Sequence, residues 1–204
     1  IYMLGAFLAF TALTPLHLPF PVALVFSVAC CALLGVAVDL VAYRPLRRAP
    51  RLSALITAIG VSILLQNLAR ILWGARTKSF PDDAIPEVFK ASFTVGGLTV
   101  TALQTFILGV ALVLMIALRW IVLRTRMGRG MRACAQDQVC AQLMGVNVNR
   151  VVSFTFALGS ALGAVAGILI APITLTSWVV GVMLGLKGFA AAILGGLGSG
   201  AGAV

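Results

Sequence analysis

Charged residues in this chain fall between long apolar runs rather than alternating with apolar positions. No charged side chain precedes Asp39; 52–69 lies between Arg51 and Arg70, 91–118 between Lys90 and Arg119, and 151–186 between Arg150 and Lys187. A helix needs about 20 apolar residues to cross a hydrocarbon core of about 30 Å, so each run predicts at least one membrane span. Proline and glycine divide the longer runs. TPLHLPFP at 14–21 holds three prolines, which remove backbone donors, so 1–13 and 20–43 are predicted as separate helices. Pro172 ends a span over 151–171, and a last apolar helix over 183–194 runs into GGLGSGAGAV, whose glycines terminate it. The pattern predicts an all-α, polytopic transmembrane bundle forming a single domain over 1–204. The chain opens partway through a span and has neither an initiator Met nor a leader with a basic start, and its apolar sequence simply stops, so both ends are expected to be cut.

Composition agrees with a membrane protein: 61% of residues are apolar and 10% charged, with a mean hydropathy of +1.12, whereas about a quarter of a soluble domain is charged. The charges also orient the chain. Of 15 basic residues, ten crowd into 44–51 and 119–150, while the segment from Arg70 to Lys90 balances its bases with Asp82, Asp83 and Glu87. The positive-inside rule places 44–51 and 119–150 in the cytoplasm and the loop 70–97 outside. A formal charge of +10 could suggest nucleic acid. The bases are spread over loops between spans rather than gathered on one soluble face, so topology and anionic lipid account for them and nucleic-acid binding is set aside.

Most chemistry-bearing residue types offer nothing. His17 stands in the Pro-rich turn without an acidic or Cys neighbour. Cys30 and Cys31 are adjacent inside a span, and Cys134 and Cys140 lack metal-ligand spacing, so no metal site is expected. GLGSGAG lacks the Lys-Ser/Thr pair of a phosphate loop, so this chain is not expected to bind ATP. No paired carboxylates or nucleophile–base set marks an enzyme. Nor is there an ion relay at mid-membrane: Asp39 ends its helix near Tyr43 and Arg44, and the other four carboxylates lie in loops. Lys187 alone is embedded in apolar sequence, where it either snorkels to an interface or lines a path.

Two patterns concern packing. Gly159, Gly163 and Gly167 give overlapping GxxxG steps, repeated in kind by Gly188, Ala192 and Gly196. Such stripes let helix backbones approach, within the bundle or at a subunit interface. In the third helix Ser62, Gln66 and Arg70 share a face at i, i+4, i+8, with Asn67 beside them. In lipid these need partners across an interface or in a wet cavity, and Ser62, Gln66 and Asn67 are candidate path-lining residues.

Between two spans lies MRACAQDQVCAQLMG, bracketed by Gly130 and Gly145. The segment is too polar and short to cross, and predicts one cytoplasmic helix with Met131, Ala135, Val139 and Leu143 on an i+4 line. Such a helix lies on the membrane surface or is offered to a partner protein.

This segment, with AYRPLRRAPRLSALITAIGVSILLQNLARILWG, the flanking RTRMGRG and VNVNRVVSFTFALGSALGAVAGIL, and LKGFAAAILGGLGSGAGAV, resembles the permease subunit of bacterial branched-chain amino acid ABC transporters over nearly all of the chain. The resemblance implies that RACAQDQVCAQLMG is a coupling helix that seats in a groove of an ATPase. By position, the coupling residues are Arg132, Ala133, Asp137, Ala141 and Gly145, the small ones permitting close docking and Gly145 the turn back to the membrane. It further implies a second permease subunit, two cytoplasmic ATPases that hydrolyse the ATP, an extracytoplasmic solute-binding protein and a place in the bacterial inner membrane. Relatives in the superfamily move urea and short amides, so cargo is left open between these and branched-chain amino acids. A gradient-driven carrier or channel working without an ATPase is the alternative from another class.

Overall fold

A computed structural model describes residues 1–14, 20–48, 51–74, 92–95, 98–171 and 180–194. His17, Asp82, Asp83, Glu87, Pro172, most of the 70–97 loop and the glycine-rich tail lie outside them. The helices are α1 (Tyr2–Leu13), α2 (Phe20–Val38), α3 (Arg51–Trp73), α4 (Ala102–Arg124), α5 (Arg126–Gln136), α6 (Gln138–Leu143), α7 (Val148–Ile170) and α8 (Val180–Leu194). Pro21–Tyr43, Ile56–Trp73, Ala102–Arg124 and Val148–Ile170 are each long and apolar enough to cross a membrane, and Tyr2–Leu13 is a shorter apolar helix. The chain is therefore a multi-pass, essentially all-helical membrane protein, as its uncharged runs predict.

Among the described residues, the one departure from helix is a hairpin of Ser92–Val95 and Leu98–Thr101, paired antiparallel from Ser92↔Thr101 to Val95↔Leu98. It takes the first part of the uncharged run 91–118, because the β-branched residues of SFTV and LTVT favour strands. α4 begins only after it, with the Gln104 side-chain oxygen accepting from the Thr101 amide at 3.4 Å.

Small residues set the core. α1, α2 and α7 pack closely because Gly5 stands against the Ala164 backbone, Gly35 against the Ser160 hydroxyl and Phe156 carbonyl, and Gly167 against the Tyr2 carbonyl; a methyl at any of them would overlap its neighbour. Ser27, fully buried, donates to the Gly5 carbonyl at 2.8 Å and so joins α2 to α1. α3 joins this core through Leu65 and Ala69, and Trp73 stacks on Phe7 with ring centroids 5.5 Å apart.

The predicted glycine stripe divides on this geometry. Gly167 is at a backbone contact, whereas a methyl added at Gly163 would come no nearer than 4.0 Å to the Tyr2 amide and one at Gly159 would meet nothing within 4 Å. The buried line of α7 is instead Ser160, Ala164, Gly167 and Ile168, turned about one residue from the GxxxG line.

At the far end of α2 the helix widens into a π-helical turn, Asp39–Tyr43, closed by the Arg44 amide donating to the Asp39 carbonyl at 2.7 Å. Asp39 is completely buried there and accepts from the Ser153 hydroxyl of α7 at 2.5 Å. Its side chain thus bonds across to α7 in addition to lying near Tyr43 and Arg44. Tyr43 packs on Phe156, centroids 4.9 Å apart. These contacts bring the end of α2 beside the start of α7, so the two basic segments occupy one end of the bundle.

Candidate functional site

At that basic end, α4 turns into α5 through Thr125. Its hydroxyl donates to the Ile121 carbonyl at 2.6 Å and accepts from the Gly128 amide at 3.0 Å, closing one helix and opening the next. Gly128 is buried against the Ile121 and Val122 carbonyls, and a methyl added at Gly130 would come within 3.0 Å of a Val151 methyl of α7, so α5 is folded back onto the bundle.

The single helix predicted between Gly130 and Gly145 is two helices. α5 starts earlier, at Arg126, and ends where Asp137 becomes extended (φ −151°, ψ 117°). Asp137 then caps α6: its carboxylate accepts from the Val139 amide at 2.7 Å and the Cys140 amide at 3.2 Å. The competition of an Asp side chain for local amides ends one helix and starts another. These bonds hold the Asp137 carboxyl below the ordinary carboxylate range. At the other end of α6, the Val146 amide donates to the Ala141 carbonyl at 2.9 Å and the Gly145 amide to the Gln142 carbonyl at 3.0 Å. That pair of bonds is a Schellman stop, and it needs the left-handed φ of +82° that Gly145 supplies. The chain then enters α7 through Asn147, whose side chain accepts from the Arg150 amide at 3.2 Å.

The five positions named for coupling all have work inside this chain. Arg132 donates to the Leu123 carbonyl at 3.4 Å, near the end of α4. Ala133 is half-buried and its carbonyl takes the Asp137 amide at 3.1 Å. Ala141 is 4% exposed, packed within the chain itself. Asp137 and Gly145 set the two ends of α6. What the elbow presents outward is different: Val139, Leu143 and Met144 are 67%, 81% and 84% exposed, in a polar segment clear of the spans. Val139 and Leu143 stood on the i+4 line visible in the sequence. Met144 did not, because the Schellman turn carries it outward.

The polar line on α3 is the second candidate. Gln66 Nε2 donates to Ser62 Oγ at 3.1 Å, so these two are brought together. Asn67 turns back onto its own helix, donating to the Ile63 carbonyl at 2.9 Å. Ser62 and Gln66 open onto a cavity of about 70 Å³ that is also lined by Ile1, by Tyr2 and Met3 of α1, by Leu65 of α3 and by Gly181 of α8. Lys187 stands exposed further along α8 and does not line it. The Tyr2 hydroxyl is buried with no hydrogen-bond partner.

Residues 1–204 match the family described as the permease component of the branched-chain amino acid transport system. The chain belongs to that permease family. It is 37% identical to the high-affinity branched-chain amino acid transport system permease protein LivH of Escherichia coli K12, over 98% of this chain and 68% of that protein. LivH of Salmonella typhimurium and BraD of Pseudomonas aeruginosa, both so described, are 36% identical over the same shares. No solved structure matches the permease.

Proposed function

We propose that the permease is the membrane-spanning subunit of an ATP-driven importer of branched-chain amino acids in a bacterial inner membrane. It pairs with a second permease subunit, two cytoplasmic ATPases and an extracytoplasmic binding protein. The observation that carries the coupling role is the apolar outer face of the elbow, Val139, Leu143 and Met144, held up by two helix caps at the basic end of the bundle. A solvent-side apolar patch on a short, rigidly terminated helix suits a groove in a partner protein. The basic segments put this end in the cytoplasm by the positive-inside rule, where the ATPases are. Because α5 packs on the start of α7 and α7 is bonded to α2, a pull on the elbow passes into the core as a rigid-body tilt, which fits a rocking permease. The nucleotide is bound and hydrolysed by the partners.

The test uses Leu143→Asp combined with Met144→Asp in the full complex. Both side chains are exposed, so the permease should accumulate normally while the ATPase is lost from pull-downs and ATP-dependent leucine uptake falls at least about tenfold, the loss expected when apolar anchors leave an interface. Full retention of the ATPase and of uptake would refute the coupling role. Uptake of labelled leucine against urea by the parent complex decides the cargo.

A further inference from the structure

We infer that Asp39 is a positioning residue of the transport cycle: through Ser153 it makes the end of α2 travel with the start of α7 when the elbow is pulled. The inference rests on the importer reading and names the contact that carries its motion.

Asp39 lies within the apolar span Pro21–Tyr43 and has no exposed surface. An ionisable side chain is expensive to hold inside a membrane span, and those that are kept mark functional positions with identifiable partners. The partner on α7 is the Ser153 hydroxyl, which donates to Asp39 Oδ2 at 2.5 Å. Joining α2 to α7 does not by itself need a carboxylate. Four residues earlier, Gly35 already closes the same interface by lying against Ser160 and the Phe156 carbonyl.

What sets Asp39 apart is its place. It opens the π-helical turn Asp39–Tyr43, in which the Arg44 amide reaches back five residues to the Asp39 carbonyl. Helices bend at such turns. Left untied, the end of α2 would yield there when α7 moved and would not be carried along. Both ends of the turn are tied to α7, Asp39 by Ser153 and Tyr43 by its packing on Phe156. The turn also touches α3, so a shift of α7 is delivered to two further spans. On the other side of the contact, Val151 stands two residues before Ser153 and is buried where Gly130 of α5 packs. The elbow and the Asp39–Ser153 bond thus act on the same opening turns of α7.

The experiment measures leucine imported per ATP hydrolysed by the complete transporter in proteoliposomes. The variants are Ser153→Ala, Asp39→Asn and the apolar pair Asp39→Leu with Ser153→Ala. Asparagine keeps an acceptor for the Ser153 hydroxyl, so Asp39→Asn should hold the ratio within about twofold of the parent. Ser153→Ala should lower it at least about fivefold, the scale of one lost hydrogen bond. The apolar pair should lower it no further, because both changes remove the same contact. ATPase retention and binding-protein-stimulated hydrolysis should stay within about twofold throughout, since neither residue lies in the elbow. Replacing both partners of a hydrogen bond by apolar groups is often nearly neutral for stability, so the apolar pair should keep a thermal midpoint near the parent's while its transport is uncoupled. A parent-like ratio in Ser153→Ala overturns the inference. So does uptake that falls in step with hydrolysis and thermal midpoint across the series, which assigns the bond to folding alone. A parent complex that hydrolyses ATP yet imports no branched-chain amino acid instead sinks the importer reading.

Discussion

α4 and α7 are each 23 residues long and each apolar enough to cross a membrane, yet they sit in the bundle in opposite ways. Twenty-eight per cent of the span window of α7 is buried, and none of that of α4. Hydrophobicity does not cause the difference, since α4 is the more hydropathic of the two. Side-chain size does. Along its buried line α7 carries Ser160, Ala164 and Gly167, so the backbones of α1 and α2 can reach it. α4 carries Leu108, Leu112, Val113, Ile116 and Trp120, all exposed. Lipid tails are as apolar as leucine, so burying such side chains between helices gains little, and close backbone packing decides which helices associate. α7 is thus a structural axis, and α4 offers much of its apolar surface, Leu108, Leu112, Val113, Ile116 and Trp120 included, to whatever surrounds the described bundle.

The largest test of this contrast exchanges one glycine in each helix. Leucine at Gly167 would drive a branched side chain into the Tyr2 carbonyl, whereas at Gly109 of α4 an added carbon meets nothing within 4 Å. Gly167→Leu should abolish most of the monodisperse, detergent-extracted protein, at a cost of about 3 kcal/mol or more. Gly109→Leu should leave the yield within about twofold. Equal yields from the two would show that α7 is not the axis.

A smaller effect is expected at the hydrogen bond that ties α7 to α2. Ser153→Ala leaves the buried Asp39 carboxyl without its 2.5 Å donor. A hydrogen bond to such a group is worth about 1.5–3 kcal/mol, so the thermal midpoint of the purified permease should fall by several degrees. Thr105→Ala, on the exposed face of α4, should change it by no more than about 0.5 kcal/mol. An unchanged midpoint for Ser153→Ala would mean that the α2–α7 contact rests on small-residue packing alone.

How far this contrast was legible in the sequence depends on the range of the interaction. The spans were, because uncharged length and prolines are local and decisive. That α7 packs through small residues was legible as well, but its facing was not. Residues 159, 160, 163, 164 and 167 are all small, so two adjacent lines satisfy the spacing, and only the position of α1 selects the one through Ser160 and Ala164. The Asp39–Ser153 bond joins residues 114 apart and has no local signal. The segment proposed for coupling stood out by its polarity and resemblance, and its break at Asp137 was available in principle from the capping preference of aspartate. The regular i+4 line through Met131, Ala135, Val139 and Leu143 hid that break. In the cavity, Ser62 and Gln66 could be paired by spacing, whereas Tyr2 belongs to a different helix and needed the fold.

The smallest expected effect lies in the elbow that joins the two helices, α4 through α5 and α6 to α7, and it is a matter of pH. Asp137 accepts two backbone bonds only as the folded elbow forms, and these hold its carboxyl below the usual range. A depressed folded value means that the unfolded segment binds a proton more readily. The cap therefore contributes fully above the unfolded value of about 3.9, weakens as the pH falls below it, and is lost once the pH passes through the lower folded value. The amide NMR shifts of Val139 and Cys140 should follow that titration in acid while those of α7 stay unmoved. Asparagine caps about as well as aspartate but does not titrate in this range, so Asp137→Asn should keep the neutral-pH shifts and abolish the acid transition. Asp137→Ala should lose both. An acid transition that persists unchanged in Asp137→Asn would assign it to another group. The break between α5 and α6 would then have to be explained by the Gly145 turn and the packing on α7 rather than by the carboxylate.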